Sequence, residues 1–593
     1  MADLSAQQAF AINVDGDVFI TACPGSGKTR VLTEKIIATL DQGISPHERA
    51  IALTYTNRAA DEVAARLQEH GYSKKHLWTG TIHSFALEWI LRPYGSYEPL
   101  LQHGFSVIDE SSRRKLVDSL RKKYQVDSRA EIRMGFLRNG ELVTTESNRR
   151  RLIEECREKL KEQRLLDFDQ VLFLAFSLLR RKPEIAATLG SIFSLICIDE
   201  YQDTQDLQFG ILASIVRASN NGSRLFIVGD RNQAIYSSLG GIAKTVDEIR
   251  HEFGRPDLSY HELSGNYRST QRIVDFCASF SEEGEEKVIS LARHATERGL
   301  ITFSNQTFHL EEIDQPIGSL IQYHLSQGVK PENICILGPS WWLLTKLGRQ
   351  LVLRFPDVDL DAPGLSPIRY EPDSVWFKLA RLFLTEPSPR RFRTRTRWAD
   401  DFVMALEGTL ASELPEGIRN SRAILRLIND LNSVEESGLA YLDDVFEQFF
   451  AALEIDLTLY PPLTDSRTSF FESAEERLIE QNSELEPIAT LKKMFRHPLG
   501  VVVNSCHGAK GEEYEVVICF GLLRGQIPNW ARIFDDEFDD EAESRRLLYV
   551  IASRAKKYLH LFSENGRRTR NQTPYETTSE MVAFDWDYDD LPV

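Results

Sequence analysis

The sequence predicts an α/β fold in which helices cover both faces of parallel sheets. Three apolar runs support this prediction: "DVFIT" at 17–21, "SLICI" at 194–198 and "RLFIV" at 224–228. Each run has the length of a buried strand, and each leads into a loop of polar residues. Loops at the carboxyl ends of parallel strands meet at one edge of a sheet, where ligands bind in such folds. We therefore expect these loops to form one site.

The length and composition indicate a multidomain globular protein. A chain of 593 residues is too long for one hydrophobic core. It has no apolar run long enough to cross a bilayer and no secretory leader pattern at its start, so we expect a cytoplasmic protein without membrane contact. The formal net charge of −18 argues against nucleic acid as a partner, although basic clusters occur at 113–123, 148–164 and 390–397.

The first loop, "ACPGSGKTR", joins a short strand to an amphipathic helix, which is the order of a phosphate-binding P-loop. The glycines let backbone N–H groups approach phosphate oxygens, Lys28 would reach the β and γ phosphates, and Thr29 would ligate Mg²⁺. The strict pattern begins with glycine, whereas this chain has Ala22 there. The predicted phosphate-binding residues of the loop are Pro24, Gly25, Ser26, Gly27, Lys28 and Thr29.

An acidic pair follows the second apolar run. Asp199 and Glu200 would lie at the same sheet edge as Lys28. Asp199 suits a metal ligand, and Glu200 suits the base that polarises an attacking water. Together with the P-loop, this pair predicts hydrolysis of a nucleotide with Mg²⁺.

The order of motifs along the chain resembles the UvrD/Rep family of superfamily 1A DNA helicases. The segments that carry the resemblance are "ACPGSGKTR", "LTYTNRAADEVAARL", "TGTIHSF", "IDEYQDTQ", "VGDRNQAIY", "LSGNYRST", "VNSCHGAKGEEYEVVICFG" and "ESRRLLYVIASRAKK". The resemblance implies two RecA-like P-loop motor domains, with ATP in the cleft between them and a helical subdomain inserted in each.

The expected domain boundaries follow from the positions of these motifs. They are 1–87 and 165–263 for the first motor domain, 88–164 for its helical insertion, 264–375 and 491–560 for the second motor domain, 376–490 for a reduced second insertion, and 561–593 for an acidic tail. The tail "EMVAFDWDYDDLPV" is either a disordered solubilising segment or a docking peptide for a partner.

The resemblance also implies roles at the nucleotide site. Gln8 would face the adenine edge, Arg30 and Tyr267 would sandwich the ring, and Glu513 would contact the ribose. Gln233 would sense the γ-phosphate, with Asp230 in the Mg²⁺ and water network. Across the cleft, Arg268 and Arg554 would neutralise charge that develops during phosphoryl transfer.

Contacts to single-stranded or partly duplex DNA are implied at strand ends and loops. These residues are Thr54, Tyr55, Asn57, Thr81, His83, Tyr236 and His507. Family members usually have Trp and Arg two and three residues after the tyrosine that corresponds to Tyr236. This chain has Ser238 and Leu239 at these positions, which predicts weaker base stacking. The implied polarity is 3′ to 5′.

Three functions remain open from the sequence. The first is an ATP-dependent DNA translocase or helicase, in one version the helicase-like subunit of a Gabija anti-phage defence system, in a hetero-oligomer with an OLD-like ATPase-nuclease. The second is a DNA-sensing regulatory ATPase that gates a partner nuclease and unwinds little itself. The third is a repair or recombination helicase that acts alone.

Overall fold

The computed structural model describes most of the chain. The described residues are 4–72, 76–127, 130–220, 222–237, 240–281, 287–307, 309, 312–362, 366–371, 374–410, 414, 419–480, 487–496, 499–533, 539–569, 571–583 and 585–593. Within these ranges, the side chains outside the description are those of Asn57, Arg58, Ser111, Arg390, Arg393, Glu480, Ala531 and Arg532.

The first half of the chain builds a parallel sheet. Among the described residues its six strands are β1 (Val18–Ala22), β2 (Arg49–Thr54), β3 (Leu77–Thr81), β6 (Phe193–Ile198), β7 (Arg224–Gly229) and β8 (Ser259–Leu263), in the order β3-β2-β6-β7-β1-β8. All pairings are parallel; Val18, for example, is in register with Phe226 on one side and Ser259 on the other. The three predicted apolar runs are therefore neighbouring strands.

Both faces of this sheet are buried, which explains why its strands are apolar without alternation. Phe19, Ile196 and Ile227 pack into a core on one face, whereas Ile20 and Val228 pack into another core on the opposite face. The helices that provide these cores are α1 (Ala6–Asn13), α2 (Lys28–Asp41), α3 (Asn57–Glu69), α4 (Ile82–Phe85), α8 (Phe168–Arg181), α9 (Pro183–Ile192), α10 (Asp206–Ala218) and α11 (Val246–Phe253).

A smaller unit lies between β3 and α8 in the chain. Its elements are α5 (Arg92–Tyr94), β4 (Ser106–Val107), α6 (Glu110–Tyr124), α7 (Ser147–Glu162) and β5 (Leu165–Leu166), with a π-helical turn at Ala86–Leu91 before them. Helices α6 and α7 share a small core that includes Val117, Leu120, Leu152 and Cys156. The basic clusters of this segment therefore lie on amphipathic helices.

The second half of the chain builds another parallel sheet. Among the described residues its six strands are β11 (Leu300–Ser304), β12 (Ile334–Gly338), β13 (Leu360–Asp361), β14 (Val501–Ser505), β15 (Tyr514–Cys519) and β16 (Ala555–Phe562), in the order β11-β16-β15-β12-β14-β13. The short strands β9 (Gly265–Asn266) and β10 (Ile289–Ser290) pair separately. Its helices are α12 (Gln271–Ala278), α13 (Asp314–Ser326), α14 (Trp341–Arg354), α21 (Trp530–Ile533), α22 (Asp540–Ala552) and α23 (Ser579–Val582).

A helical segment separates β13 from β14 along the chain. It contains α15 (Val375–Leu384), α16 (Phe392–Leu410), α17 (Ser421–Asp430), α18 (Gly438–Ala452), α19 (Pro461–Glu480) and α20 (Ile488–Lys493). Trp376, Phe402 and Phe446 lie in an aromatic core of its own. The segment also contacts the first half of the chain, because Arg397 pairs with Asp61 of α3 at 2.9 Å.

The end of the chain corrects one expectation. The described residues 585–593 are not a solvated tail, because Trp586 and Tyr588 pack against Phe276 with ring centroids 5.1 and 6.0 Å away. Asp589 pairs with Arg272 and accepts a hydrogen bond from the backbone N–H of Ile301. Acidic and aromatic residues alternate in this segment because one of its sides packs on the second half of the chain and the other faces solvent.

The predicted fold class is confirmed: helices flank two large parallel sheets. Within the described part of the chain, no helix combines the length and apolar character needed to cross a bilayer.

Candidate active site

The P-loop has the backbone that phosphate binding requires. Gly25 and Gly27 have φ values of 71° and 82°, in the left-handed region that side chains disfavour. Gly27 is the N-cap of α2, whose first residue is Lys28. The Ser26 hydroxyl and the Lys28 ammonium are buried and make no hydrogen bond within the described residues. Buried polar atoms without partners are costly, so this loop fits a phosphate ligand that supplies the missing acceptors.

The acidic pair at the end of β6 faces the P-loop, as its sequence position predicts. Lys28 Nζ lies 3.6 Å from Glu200 Oε2, and the Thr29 hydroxyl donates to Asp199 Oδ2 at 3.4 Å. Burial and the neighbouring Glu200 raise the pKa of Asp199. Burial alone would also raise the pKa of Glu200, but Lys28 and Lys510 outweigh it and lower that pKa. The pKa values of these two adjacent carboxyl groups are therefore shifted in opposite directions.

The loop after β7 extends this network toward the second half of the chain. Gln233 Nε2 donates to Asp230 Oδ2 at 2.7 Å, and Gln233 Oε1 accepts from Arg554 Nη2 at 3.0 Å. The Gln202 side chain accepts from the backbone N–H of Asp230 and donates to Glu200. Gln233 is thus the side chain through which the acidic residues of one half contact an arginine of the other.

The two predicted arginines differ in their surroundings. Arg554 is fully buried and also donates to the carbonyl oxygens of Val550 and Glu512. Burial, together with the nearby Arg268, lowers the pKa of Arg554 to about 10. A buried cation that has lost favourable hydration gains most from a negative ligand.

Arg268 is ion-paired with Glu513 at 2.7 Å, and Lys556 contacts the same carboxylate at 2.9 Å. Burial alone would raise the pKa of Glu513, but Arg268 and Lys556 outweigh it and lower the pKa to about 2. The carboxylate predicted to contact ribose therefore also positions Arg268. Arg268 lies against the P-loop as well, since a Cβ added to Gly25 would meet its Cβ at 2.6 Å.

Of the residues predicted at adenine, Gln8 and Tyr267 contact the P-loop directly. Gln8 is buried; its Nε2 donates to the Ser26 carbonyl at 2.8 Å and its Oε1 accepts from the Ser5 backbone N–H. The Tyr267 ring is 39% exposed, and its backbone N–H donates to the Gly25 carbonyl. Arg30 is half-buried in the first turn of α2. In this structure Gln8 holds the P-loop, a structural function that the sequence did not reveal.

Several residues predicted to bind DNA form an aromatic group at the ends of β2 and β7. Tyr55 and Tyr236 stack with centroids 4.7 Å apart and an interplanar angle of 22°. Tyr236 Oη donates to the carbonyl of His507, whose ring lies 6.3 Å away. Burial raises the pKa of both tyrosines. This group is the part of the predicted DNA surface that joins the two halves.

Two threonines in the DNA prediction have local hydrogen bonds. The Thr54 hydroxyl donates to the Thr56 carbonyl, and the Thr81 side chain caps α4 by accepting from Ser84 N. His83 packs edge-on against Phe168, with centroids 5.7 Å apart. The Asn57 side chain and residues 238–239, which include the departures Ser238 and Leu239, lie outside the described residues.

A cavity of about 220 Å³ connects the two predicted sites. Thr54, Tyr55 and His83 line one side, and Asp199 and Glu200 line the other. The predicted strand-binding residues and the predicted catalytic carboxylates thus share one cavity wall.

The structure also identifies Lys510 as a site residue that the sequence analysis missed. Its ammonium lies 2.5 Å from Asp203 Oδ2 and donates to the Gln233 carbonyl. It also lies over the Tyr236 ring, 5.1 Å from the centroid. Both members of the ion pair are buried, and burial raises the pKa of Asp203 to about 6 against the opposing effect of Lys510. The available signal was its position in "HGAKGEE", between His507 and Glu513.

Comparison with known proteins agrees with this arrangement. Residues 4–254 match the family model of the UvrD/REP helicase N-terminal domain, and residues 470–565 match that of the UvrD-like helicase C-terminal domain. Together the two matches span more than half of the chain.

Three bacterial relatives illustrate the similarity, each named ATP-dependent DNA helicase PcrA. The protein of Leuconostoc citreum is 24% identical over 98% of this chain and 84% of its own length. A Staphylococcus epidermidis protein is 24% identical over 98% and 86%, and a Staphylococcus aureus protein is 23% identical over 95% and 83%.

Proposed function

Because the chain belongs to the UvrD-like helicase family, we propose that it hydrolyses ATP between its two large sheets and thereby moves along single-stranded DNA. As a member of this family it is a DNA-dependent ATPase and helicase. The observation that carries the proposal is one network of contacts that joins Lys28 and Glu200 of the first half, through Gln233, to Arg554 of the second half.

In this proposal the P-loop residues bind the phosphates. The Lys28 ammonium and the Ser26 hydroxyl, which make no hydrogen bond within the described residues, would donate to phosphate oxygens together with backbone N–H groups of the loop. Tyr267 and Arg30 would stack on the adenine, and Gln8 would contact its edge. Thr29 and Asp199 would hold Mg²⁺, which would neutralise phosphate charge when bound. Their side chains are already hydrogen-bonded to each other, so little rearrangement is needed to offer two oxygen ligands.

For hydrolysis, Glu200 would accept a proton from the attacking water. Its lowered pKa keeps it ionised at neutral pH, as a base must be. Gln233, which Asp230 holds by a hydrogen bond, would contact the γ-phosphate and sense its presence. Arg268 and Arg554 would stabilise the negative charge that develops on the γ-phosphate during hydrolysis. Since both arginines belong to the second half, a change in the cleft alters their distance from the phosphates.

The proposed DNA track runs past the aromatic group. Tyr55 and Tyr236 offer flat surfaces for bases, and His83 and His507 flank them. Tyr236 follows Gln233 in the same loop, so movement of the γ-phosphate sensor would shift the stacking surface. We propose the 3′ to 5′ polarity of the family for this movement.

The central test measures ATP turnover with and without single-stranded DNA. The proposal expects strong stimulation by DNA, and loss of turnover in Lys28→Ala and Glu200→Gln with unchanged thermal unfolding. Matched controls are Lys161→Ala and Glu34→Gln, which remove the same charges on α7 and α2 outside the site. ATP turnover that does not increase with DNA, or that is retained in Glu200→Gln, would contradict the proposal.

We further propose that the domain boundaries predicted above describe the motor, and that its second insertion regulates unwinding. Ion pairs hold this insertion against the first half of the chain, with Arg397 on Asp61 and Glu472 on Lys115 of α6. A held insertion favours the second function considered above, an ATPase that gates a partner nuclease. The defence assignment, with an OLD-like partner, rests on the motif order and the short second insertion.

Unwinding assays separate these versions. A gated enzyme unwinds little alone and gains unwinding when the partner is added, whereas an independent repair helicase unwinds a partly duplex substrate without any partner. Both versions predict the same DNA-stimulated ATP turnover. The ATPase activity and the dependence of unwinding on a partner can therefore be tested separately.

A further inference from the structure

A second cavity lies within the helical segment between β13 and β14. It has a volume of about 470 Å³, which is in the range of small-molecule sites, and it opens between α16 and α17. Arg395 and Phe392 of α16 line it together with Arg422, Arg426 and Asn429 of α17. The cavity belongs to neither the P-loop nor the aromatic group described above.

The charge of this cavity is one-sided. The described residues that line it include three arginines and no carboxylate. Arg422 and Arg426 are four residues apart on α17, so they lie on the same face and repel each other. An anion between them would convert this repulsion into two favourable contacts.

Arg395 is the most buried of the arginines that line the cavity. Its side chain is 4% exposed, and Nη2 donates to the Leu382 carbonyl and to Asn429 Oδ1. Within the described residues its Nε atom is buried and makes no hydrogen bond. A guanidinium that two acceptors hold in place, and whose buried Nε–H has no partner in the described part of the chain, is prepared for an acceptor from outside the protein.

We propose that this cavity binds a phosphate monoester of mononucleotide size. A terminal phosphate carries up to two negative charges and can reach a buried arginine end-on, whereas a backbone phosphate diester carries one charge and is flanked on both sides. The Phe392 ring is 50% exposed at the cavity and offers a face on which a base can stack. The proposal does not depend on the function assigned to the cleft.

The test uses isothermal titration calorimetry of AMP into the full-length chain, without ATP or added metal. We expect saturable binding that weakens by about tenfold or more in the double variant Arg422→Gln/Arg426→Gln, which removes two exposed charges. The matched control is Arg114→Gln/Arg149→Gln on α6 and α7, which removes the same charge elsewhere. Tyr267→Ala, which removes the ring proposed to stack on adenine in the cleft, should leave the affinity for AMP unchanged.

Each other result overturns the proposal. AMP binding that is absent, that is insensitive to the Arg422→Gln/Arg426→Gln variant, or that is lost in Tyr267→Ala excludes this cavity as the site. If an oligothymidylate without terminal phosphates loses affinity in the double variant while AMP does not, the arginines bind nucleic-acid backbone instead. Thermal unfolding of both double variants establishes that each is folded.

Discussion

Arg554 Nη2 donates a 3.0 Å hydrogen bond to Gln233 Oε1, and the two residues are 321 positions apart in the chain. This bond joins the loop after β7 of the first sheet to the turn before β16 of the second. Because Gln233 also donates to Asp230, any ligand that draws Arg554 away also changes the position of the acidic network. The same two side chains are those expected to contact the γ-phosphate.

The first prediction concerns this pair. Arg554→Ala should lower the kcat for ATP by about 10³-fold or more, as expected for an arginine that stabilises transferring phosphate. Gln233→Ala should lower kcat too, and the double variant should lose less than the product of the two effects, because the residues act through one contact. Steady-state ATPase kinetics at saturating DNA test this, with Arg545→Ala on the exposed side of α22 as control. Strictly multiplicative effects would show that the bond has no role in turnover.

The second prediction concerns the buried pair of Lys510 and Asp203. Removing one partner leaves an uncompensated buried charge, which typically costs about 3–5 kcal/mol of unfolding free energy. Lys510→Met should therefore destabilise the chain in urea unfolding, and Asp203→Asn/Lys510→Met should recover part of the loss. DNA stimulation of ATPase should fall in both variants, because Lys510 also contacts the Gln233 carbonyl and the Tyr236 ring. Normal DNA stimulation in the double variant would show that the pair is only structural.

The third prediction concerns stacking at Tyr236. Tyr236→Ala should weaken single-stranded DNA binding by about 1–3 kcal/mol, the usual contribution of a base on an aromatic ring. Tyr236→Phe should retain most of the affinity, since it loses only the hydrogen bond to the His507 carbonyl. Fluorescence anisotropy measures both. If Tyr236→Ala binds DNA as tightly as the wild type, the strand follows another path.

The fourth prediction concerns pH. His324 and His560 form a buried pair with ring nitrogens 2.8 Å apart, and burial lowers their pKa values to about 4 and about 3. In the unfolded chain they bind protons near their ordinary pKa of about 6.5. The unfolded state therefore binds more protons below that pH, and stability should fall as the pH drops from about 6.5 toward 4, by up to about 1.4 kcal/mol per pH unit for each histidine.

His324→Leu should flatten this dependence in chemical unfolding measured from pH 7 to 4, whereas the exposed His47→Leu should not. Equal slopes in the wild type and in His324→Leu would mean that other groups cause the acid sensitivity.

The fifth prediction concerns the second insertion. Asp61→Ala should remove the ion pair with Arg397, although the hydrogen bond from Arg397 to the carbonyl of residue 61 can remain. We expect this loss to increase unwinding of a partly duplex substrate several-fold, with DNA-stimulated ATPase nearly unchanged. Glu62→Ala, next to it on α3, is the matched control, since Glu62 pairs with Arg66 within its own helix. Unchanged unwinding in Asp61→Ala would indicate that this ion pair does not restrain the motor.

Local patterns predicted the elements that position the site. Apolar runs followed by polar loops located β1, β6 and β7, and glycines marked the turn before α2, because backbone conformation and strand burial leave direct traces in composition. The pairing of Lys510 with Asp203 left no such trace, since it depends on how two separately folded sheets meet. The packing of Trp586 and Tyr588 cannot be predicted from the sequence around them, because the acidic residues between the aromatic ones are equally typical of a solvated tail.

The close approach of Gly25 and Arg268 limits how closely the two halves of the chain can pack against each other. A methyl group added at Gly25 would lie 2.6 Å from the Arg268 Cβ, which is closer than two carbon atoms can approach. The gap between the two halves is therefore too narrow at this point for one more carbon atom. Gly25→Ala should therefore hold the halves apart, and it also strains the P-loop, because a side chain disfavours the φ of 71° at this position. A variant stopped in this way would provide an open reference state for distance measurements by spectroscopic labels.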